Sequence, residues 1–253
     1  MKRFLAVLCM VALLISGIAV FASCSDGGET IKVGVTLYEP MDYKDEDGNW
    51  IGFDAELAQK TFNELGYKVS FVEIDWDSKM LYLNSGVIDC VWNGMTITDE
   101  LKENILMTDP YLTNQQVVVV KEENAEKYQT KEDLAKASSI AFEGGSAAES
   151  ELEKLNLDES KLFSATKQLD TFLEVKSGSC DIAVVDKTMA QTLCGTGNYQ
   201  DLTYVDVGFD PEYFAVGFKK DNTEMCSAVN ELLKKYAEDG TIAQLKTKYE
   251  ITL

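Results

Sequence analysis

The feature that most constrains the fold is a short unit that occurs twice. Ser85-Gly86-x-x-Asp89 recurs as Ser177-Gly178-x-x-Asp181, each copy preceded by a helical pattern and followed by an apolar strand. Two similar α/β halves predict two lobes with a cleft between them. The first copy runs on through Cys90-Val91-Trp92-Asn93-Gly94-Met95-Thr96-Ile97-Thr98, an apolar strand ending in a polar, glycine-containing turn that leads into a helical pattern. Ligands of open α/β sheets bind just outside the carboxyl ends of strands, so this turn marks a candidate site.

Around these units the pattern alternates. Ile31-Lys32-Val33-Gly34-Val35 reads as a first strand and Asp45-Glu46-Asp47-Gly48-Asn49 as a hairpin turn. Over residues 54–65 the apolar positions fall on one helical face, with Asp54 placed to cap the start and Gly66 to end it. A strand is expected at 68–74 and a helix at 78–84. Residues 115–121 carry four consecutive valines, a buried strand, just after Asp109-Pro110-Tyr111. Thr130-Lys131-Glu132-Asp133 resembles a capping box. A strand at 139–142 leads to the turn Glu143-Gly144-Gly145-Ser146 and another helix, and a strand at 182–185 ends at Asp186. Phe209-Asp210-Pro211-Glu212-Tyr213 reads as a return crossing, followed by one strand at 214–218 and helices at 223–238 and 241–249. The expected lobes are 31–110 with 214–253, and 116–208, joined by crossings at 111–115 and 209–213.

The N-terminus is read as a targeting segment. Lys2 and Arg3 precede an apolar run from Phe4 to Phe21, short for a membrane span of roughly 20 residues, so residues 1–23 are expected to be a signal peptide. Phe21-Ala22-Ser23-Cys24 resembles a bacterial lipoprotein cleavage box, with Cys24 becoming the lipidated first residue and 24–30 a tether. Cleavage after Ala22 is the competing outcome. Removing the signal leaves 21 lysines against 43 carboxylates, and nucleic acid, which needs clustered positive charge, is not an expected partner.

Two omissions limit the chemistry. The chain has no histidine, and its only arginine is Arg3. Mechanisms built on histidine, and a histidine-ligated zinc, are therefore excluded, and no mature side chain can form a bidentate clamp on a carboxylate. After Cys24 the cysteines are Cys90, Cys180, Cys194 and Cys226; none forms a CxxC pair, and no metal or other cofactor is expected. A Cys180–Cys194 disulfide stays open, because sequence cannot set connectivity.

Taken in order, Val33-Gly34-Val35, Gly52-Phe53-Asp54, Asn84-Ser85-Gly86-Val87-Ile88-Asp89, Gly94-Met95-Thr96-Ile97-Thr98, Asp109-Pro110-Tyr111, Gly178-x-x-Asp181 with Asp186, and Gly240-Thr241 resemble the family-3 extracellular solute-binding proteins of ABC importers. The resemblance covers about residues 31–250. It implies an α/β, two-lobed fold of the periplasmic-binding-protein type, each lobe a mixed sheet flanked by helices, with two hinge strands.

Carried over by position, the resemblance implies that Tyr38 and Trp76 sandwich the ligand's side chain. The Gly94 carbonyl and the Thr96 hydroxyl would hold its ammonium, which Asp186 completes, and neighbouring Asn93 is a further ligand-binding candidate. The alternative for Asp186 is an N-cap on the next helix. Ser146 and the amides around it match a carboxylate contact at a helix start, and Glu143 beside them adds acidity. One position departs from the family: Leu101 stands where an arginine usually clamps the ligand carboxylate. Lys102 or Lys187 could reach in, the Ser146 turn and Thr96 could suffice, or the ligand could lack an α-carboxylate.

The expected function is the extracytoplasmic substrate-binding component of an ABC importer, monomeric and not an enzyme. It would be lipid-anchored at the outer face of the cell membrane, take up a small polar amino acid or related zwitterion or cation, and pass it to permease subunits. The alternatives are a sensor module or a dehydratase-like enzyme on the same fold.

Overall fold

The computed structural model describes residues 28–253. The expected signal peptide 1–23, the lipidation cysteine Cys24 and the start of the tether lie outside the described residues.

Both copies of the repeated unit are built the same way. The helix Lys79–Ser85 is ended by Gly86 at φ 74°, and the helix Gln168–Ser177 by Gly178 at φ 82°. A left-handed residue there turns the chain back while satisfying the last carbonyls, and glycine adopts it without a Cβ penalty. Three residues on, the aspartate holds a neighbouring segment: Asp89 Oδ2 accepts the Lys32 amide at 2.7 Å and Asp181 Oδ2 accepts the Ser138 amide at 2.7 Å. The strand that follows runs parallel to the strand held in this way. Cys90–Val91 lies beside Thr30–Val35, and Ile182–Asp186 beside Ile140–Glu143.

These parallel pairs grow into two mixed sheets. The first has the order Lys68–Glu73, Thr30–Val35, Cys90–Val91, Gly217–Phe218, Leu106–Met107. The second has the order Leu202–Val205, Leu112–Lys121, Ile182–Asp186, Ile140–Glu143, Leu162–Ala165. Residues 117–120, the four valines, are wholly buried, paired antiparallel with Ile182–Asp186 on one side and Leu202–Val205 on the other. Their β-branched side chains suit a strand covered on both faces.

Between the sheets the chain passes twice. Residues 112–115 pair antiparallel with Pro211–Phe214, Leu112 opposite Phe214 and Gln115 opposite Pro211. The expected single strand at 214–218 is therefore two: Pro211–Phe214 belongs to this ribbon, and Gly217–Phe218 joins the first sheet. An unbroken apolar run conceals such a change of partner.

The helix Phe53–Glu64 buries Phe53, Leu57, Ala58, Thr61 and Phe62, with the Phe62 ring edge-on to Trp92 at 6.0 Å. Its N-cap is Gly52, without a side-chain cap bond, so the expected role of Asp54 is corrected: it lies inside the first turn and is wholly buried. The helices Thr223–Glu238 and Thr241–Lys248 complete the first half. All four described cysteines are free, so Cys180 and Cys194 are not joined. Among the described residues no helix is long and apolar enough to cross a membrane.

Candidate functional site

One cavity of about 250 Å³ is lined from both sheets, at the carboxyl ends of their parallel strands. Tyr38, Trp76, Asn93, Gly94, Thr96, Glu143, Ser146 and Asp186 all line it. They reach it by different routes, and their side chains do different things there.

On the first side, Tyr38 follows the strand Thr30–Val35 and is buried. Its ring meets Phe214 edge-on at 6.5 Å, and its hydroxyl bonds to Thr188 Oγ1 in the other half. Trp76 opens the turn Trp76–Ser78 after the strand Lys68–Glu73, packed in an apolar cluster with Leu83, Met95 and Leu101. The amide of Asn93 is fully engaged. Its Oδ1 accepts from Thr36 N at 2.9 Å and Thr36 Oγ1 at 2.7 Å, and its Nδ2 donates to Asp42 Oδ2 at 2.7 Å. Asn93 thus braces the loop that carries Tyr38. Asp54 Oδ2 accepts from Gly94 N at 2.6 Å and Tyr111 OH at 2.7 Å, fixing the Gly94 peptide. Burial raises the Asp54 carboxyl to about 7. Burial raises Asp42 as well, reinforced by the negative charge of Asp54. Thr96 is bridged to Phe214 on the returning strand.

On the second side, Asp186 ends the strand Ile182–Asp186 and is 7% exposed. It occupies the N-cap position of the helix Lys187–Leu193 but makes no side-chain cap bond. Its carboxylate instead takes three neutral amides: Asn114 Nδ2, Gln116 Nε2 at 2.8 Å and Gln168 Nε2 at 2.7 Å. The same Asn114 and Gln116 amides also donate to Glu212 Oε1. Glu143 Oε1 accepts the Gln168 backbone amide at 3.0 Å. Burial, then the charge of Asp186, pushes Glu143 and Glu212 each up to about 8. Among the described residues, Glu143, Asp186 and Glu212 have no cation within ion-pairing distance.

The turn at Ser146 is partly spent. Gly145 N donates to Glu149 Oε2 at 2.7 Å and Ser146 N to Glu143 O at 3.3 Å, so these two amides are not open to an incoming anion. The Ser146 hydroxyl, by contrast, is buried without a partner among the described residues. Leu101 lines the cavity within the apolar cluster. Neither lysine expected to compensate for it lines the cavity: Lys102 pairs with Asp99 at 3.7 Å, and Lys187 with Asp206 at 3.6 Å. The cavity's one ammonium among the described residues is Lys79.

The buried Asp186 carboxylate, held by neutral amides, presents negative charge that a ligand cation can satisfy, while the two rings supply flat apolar area. A family model, bacterial extracellular solute-binding proteins, family 3, matches residues 31–251. The chain belongs to that family. The arginine-binding extracellular protein ArtP of Bacillus subtilis (strain 168) is 27% identical over 98% of both chains. A solved ancestral arginine-binding protein, bound to arginine, is 32% identical with a TM-score of 0.81, covering 87% of this chain and 97% of that one. An ancestral amino acid-binding protein, described as a precursor of cyclohexadienyl dehydratase, is 34% identical with a TM-score of 0.80, over 87% and 95%. These relatives are named as binding proteins, though the last stands at the root of an enzyme.

Several residues of this solute-binding protein are absent from the expected site. Lys79 reads in sequence as the polar start of a helix. Asn114, Gln116 and Glu212 sit on the crossing strands, where a polar cluster ahead of four valines was a signal that they face something other than core. Thr188 carries no such signal.

Proposed function

We propose that this chain is the extracytoplasmic substrate-binding component of an ABC importer that captures a cationic or zwitterionic amino acid and does no chemistry on it. One observation carries the reading. Asp186, buried at the cavity and bound by three neutral amides, has no cationic partner among the described residues. A ligand ammonium supplies that partner, with Gly94 and Thr96 completing its shell and the rings of Tyr38 and Trp76 flanking the side chain. Arginine in the related binding protein supports the same polarity of ligand.

Residues 31–110 with 214–253 form one lobe in this reading, and 116–208 the other. The antiparallel ribbon of 112–115 with Pro211–Phe214 supports a hinge at 111–115 and 209–213. Bonds from one half to the other, Tyr38 to Thr188 and Lys79 Nζ to Gly145 O at 2.7 Å, support a closed form. The closed monomer would deliver its solute to permease subunits. A diacylated Cys24 would hold it at the membrane, two acyl chains anchoring stably where one is marginal.

Thermal-shift and calorimetric titration with arginine, lysine, histidine, glutamine and glutamate tests the reading. A ligand at 100 times its Kd adds about 2.7 kcal/mol of stability. Arginine, lysine or histidine is expected to raise Tm, and glutamate to leave it unchanged. Asp186→Asn is expected to weaken binding roughly 10- to 100-fold, the worth of a charge-assisted bond. Equal affinity of the variant and wild type would remove Asp186 from the site.

A further inference from the structure

Six carboxylates and a single ammonium line the cavity among the described residues, and the ammonium belongs to Lys79. Lys79 is 7% exposed, although it opens the helix Lys79–Ser85. Its Nζ donates to Gly145 O at 2.7 Å, across the cleft, and to Trp76 O at 3.3 Å on its own side. Both acceptors are carbonyls. No carboxylate of the described residues lies within ion-pairing distance of it, and one of its three donors is left over.

The ammonium also stands over the Trp76 ring, 4.8 Å from its centroid, and burial lowers the Lys79 pKa against the opposing charges of Glu143, Asp77, Glu100 and Glu149. The feature beside it is complementary. Ser146, next to the Gly145 carbonyl that Lys79 holds, keeps a buried hydroxyl with no partner among the described residues. Two nearby amides are spent, Gly145 N on Glu149 and Ser146 N on Glu143 O. Beside the first-turn amides of the helix Ala147–Glu153, this wall of the cavity offers an anion the third Lys79 donor and the Ser146 hydroxyl. Gly145 lets the two walls come this close, because a Cβ there would stand 2.9 Å from Asp77 Cα and 3.3 Å from Lys79 Nζ.

Building on the amino acid reading above, we propose that Lys79 is the specificity-determining residue that takes the ligand's carboxylate, with the Ser146 hydroxyl as second donor. The bond from Lys79 to Gly145 couples that recognition to closure of the cleft. The ligand's ammonium lies toward Asp186 and its carboxylate toward Lys79. A lysine is a point charge without a fixed fork, so it selects for the presence of an anion more than for its planar geometry.

The test pairs each amino acid with its decarboxylated amine: arginine with agmatine, lysine with cadaverine, histidine with histamine. Calorimetry on the chain with wild-type Lys79, Lys79→Met and Lys79→Arg gives the amino-acid-to-amine affinity ratio. Wild type is expected to prefer the amino acid. Lys79→Met should lower amino acid affinity roughly 10- to 100-fold and leave the amine unchanged or tighter, erasing the preference. Lys79→Arg should keep it. A purely structural or latching lysine would weaken both ligands together and preserve the ratio, and a preserved ratio in Lys79→Met overturns the proposal while leaving the solute-binding reading intact. Wild type binding amines only also overturns it. Wild type binding none of the six overturns the amino acid reading and the role of Lys79 with it.

Discussion

Asp54 shows how one residue can be placed correctly and read wrongly. An aspartate at the start of a helical pattern is the ordinary signal for an N-cap, and nothing local separates that from a carboxylate turned inward. Its partners, Gly94 N at 2.6 Å and Tyr111 OH at 2.7 Å, come from sequence 40 and 57 residues away. Removing the acceptor leaves two buried donors unsatisfied, at a cost of about 1–3 kcal/mol. Asp54→Ala is accordingly expected to lower unfolding free energy by that amount in urea titrations and to weaken ligand binding through the loosened Gly94 turn. Asp54→Asn, which keeps an acceptor, should lose less on both counts. Equal effects of the two variants would show that bulk, not hydrogen bonding, is what Asp54 supplies. Lys79 was hidden for a related reason: a polar first residue of a helix is usually solvated, and only the opposing turn at Gly145 buries it.

At the scale of elements most of the architecture was legible, because it rests on local patterns. The helix Thr223–Glu238, the hairpin flanked by Tyr43–Lys44 and Trp50–Ile51, and the capping box at Thr130 with Asp133 all follow from periodicity and turn chemistry. The exchange of partners at Phe214 was not legible, since an apolar run looks alike whichever sheet it enters. The repeated Ser-Gly-x-x-Asp unit was visible but its job was not. Its glycine caps a helix in the left-handed region, and its aspartate holds the adjacent segment's amide. That job makes a clean prediction. A Cβ at Gly86 would meet nothing within 4 Å and at Gly178 only Lys121 Nζ at 3.6 Å, so alanine at either costs backbone strain alone. Gly86→Ala and Gly178→Ala should each lose about 1–2 kcal/mol of stability. The double variant should show close to the sum, because the two caps serve different sheets. Chemical denaturation measures all three, and a loss confined to one copy would mean the halves are not built alike.

For the whole molecule the decisive quantity is charge placed where water is not. The exposed acids are stabilised in the folded state: Lys136 and two backbone amides hold Asp133 down to about 2, and Asn49 holds Asp45 below its usual value. Their contribution is present above the ordinary carboxylate range and is lost only as pH falls below it. The cavity acids behave in the opposite sense. Glu143 and Glu212, at about 8 against an ordinary 4.5, bind protons in the folded state that the unfolded chain has released. Their contribution is complete below about pH 4.5 and disappears as pH rises through about 8. The ligand-free protein should therefore be most stable near pH 5 and lose stability as pH rises towards 8, read as a falling Tm. Glu212→Gln keeps an acceptor for Asn114 and Gln116 without a titrating proton, and should flatten that slope. A bound ammonium reverses the demand on these groups, because a cation beside Asp186 favours their ionised forms. Binding near pH 7 should then release protons, and affinity for a cationic ligand should rise between pH 6 and pH 8 as ligand-free stability falls. Calorimetry in buffers of different ionisation enthalpy reads the released protons directly. Proton uptake on binding, or a Glu212→Gln slope equal to the wild type's, would show that the cavity acids are ionised before the ligand arrives.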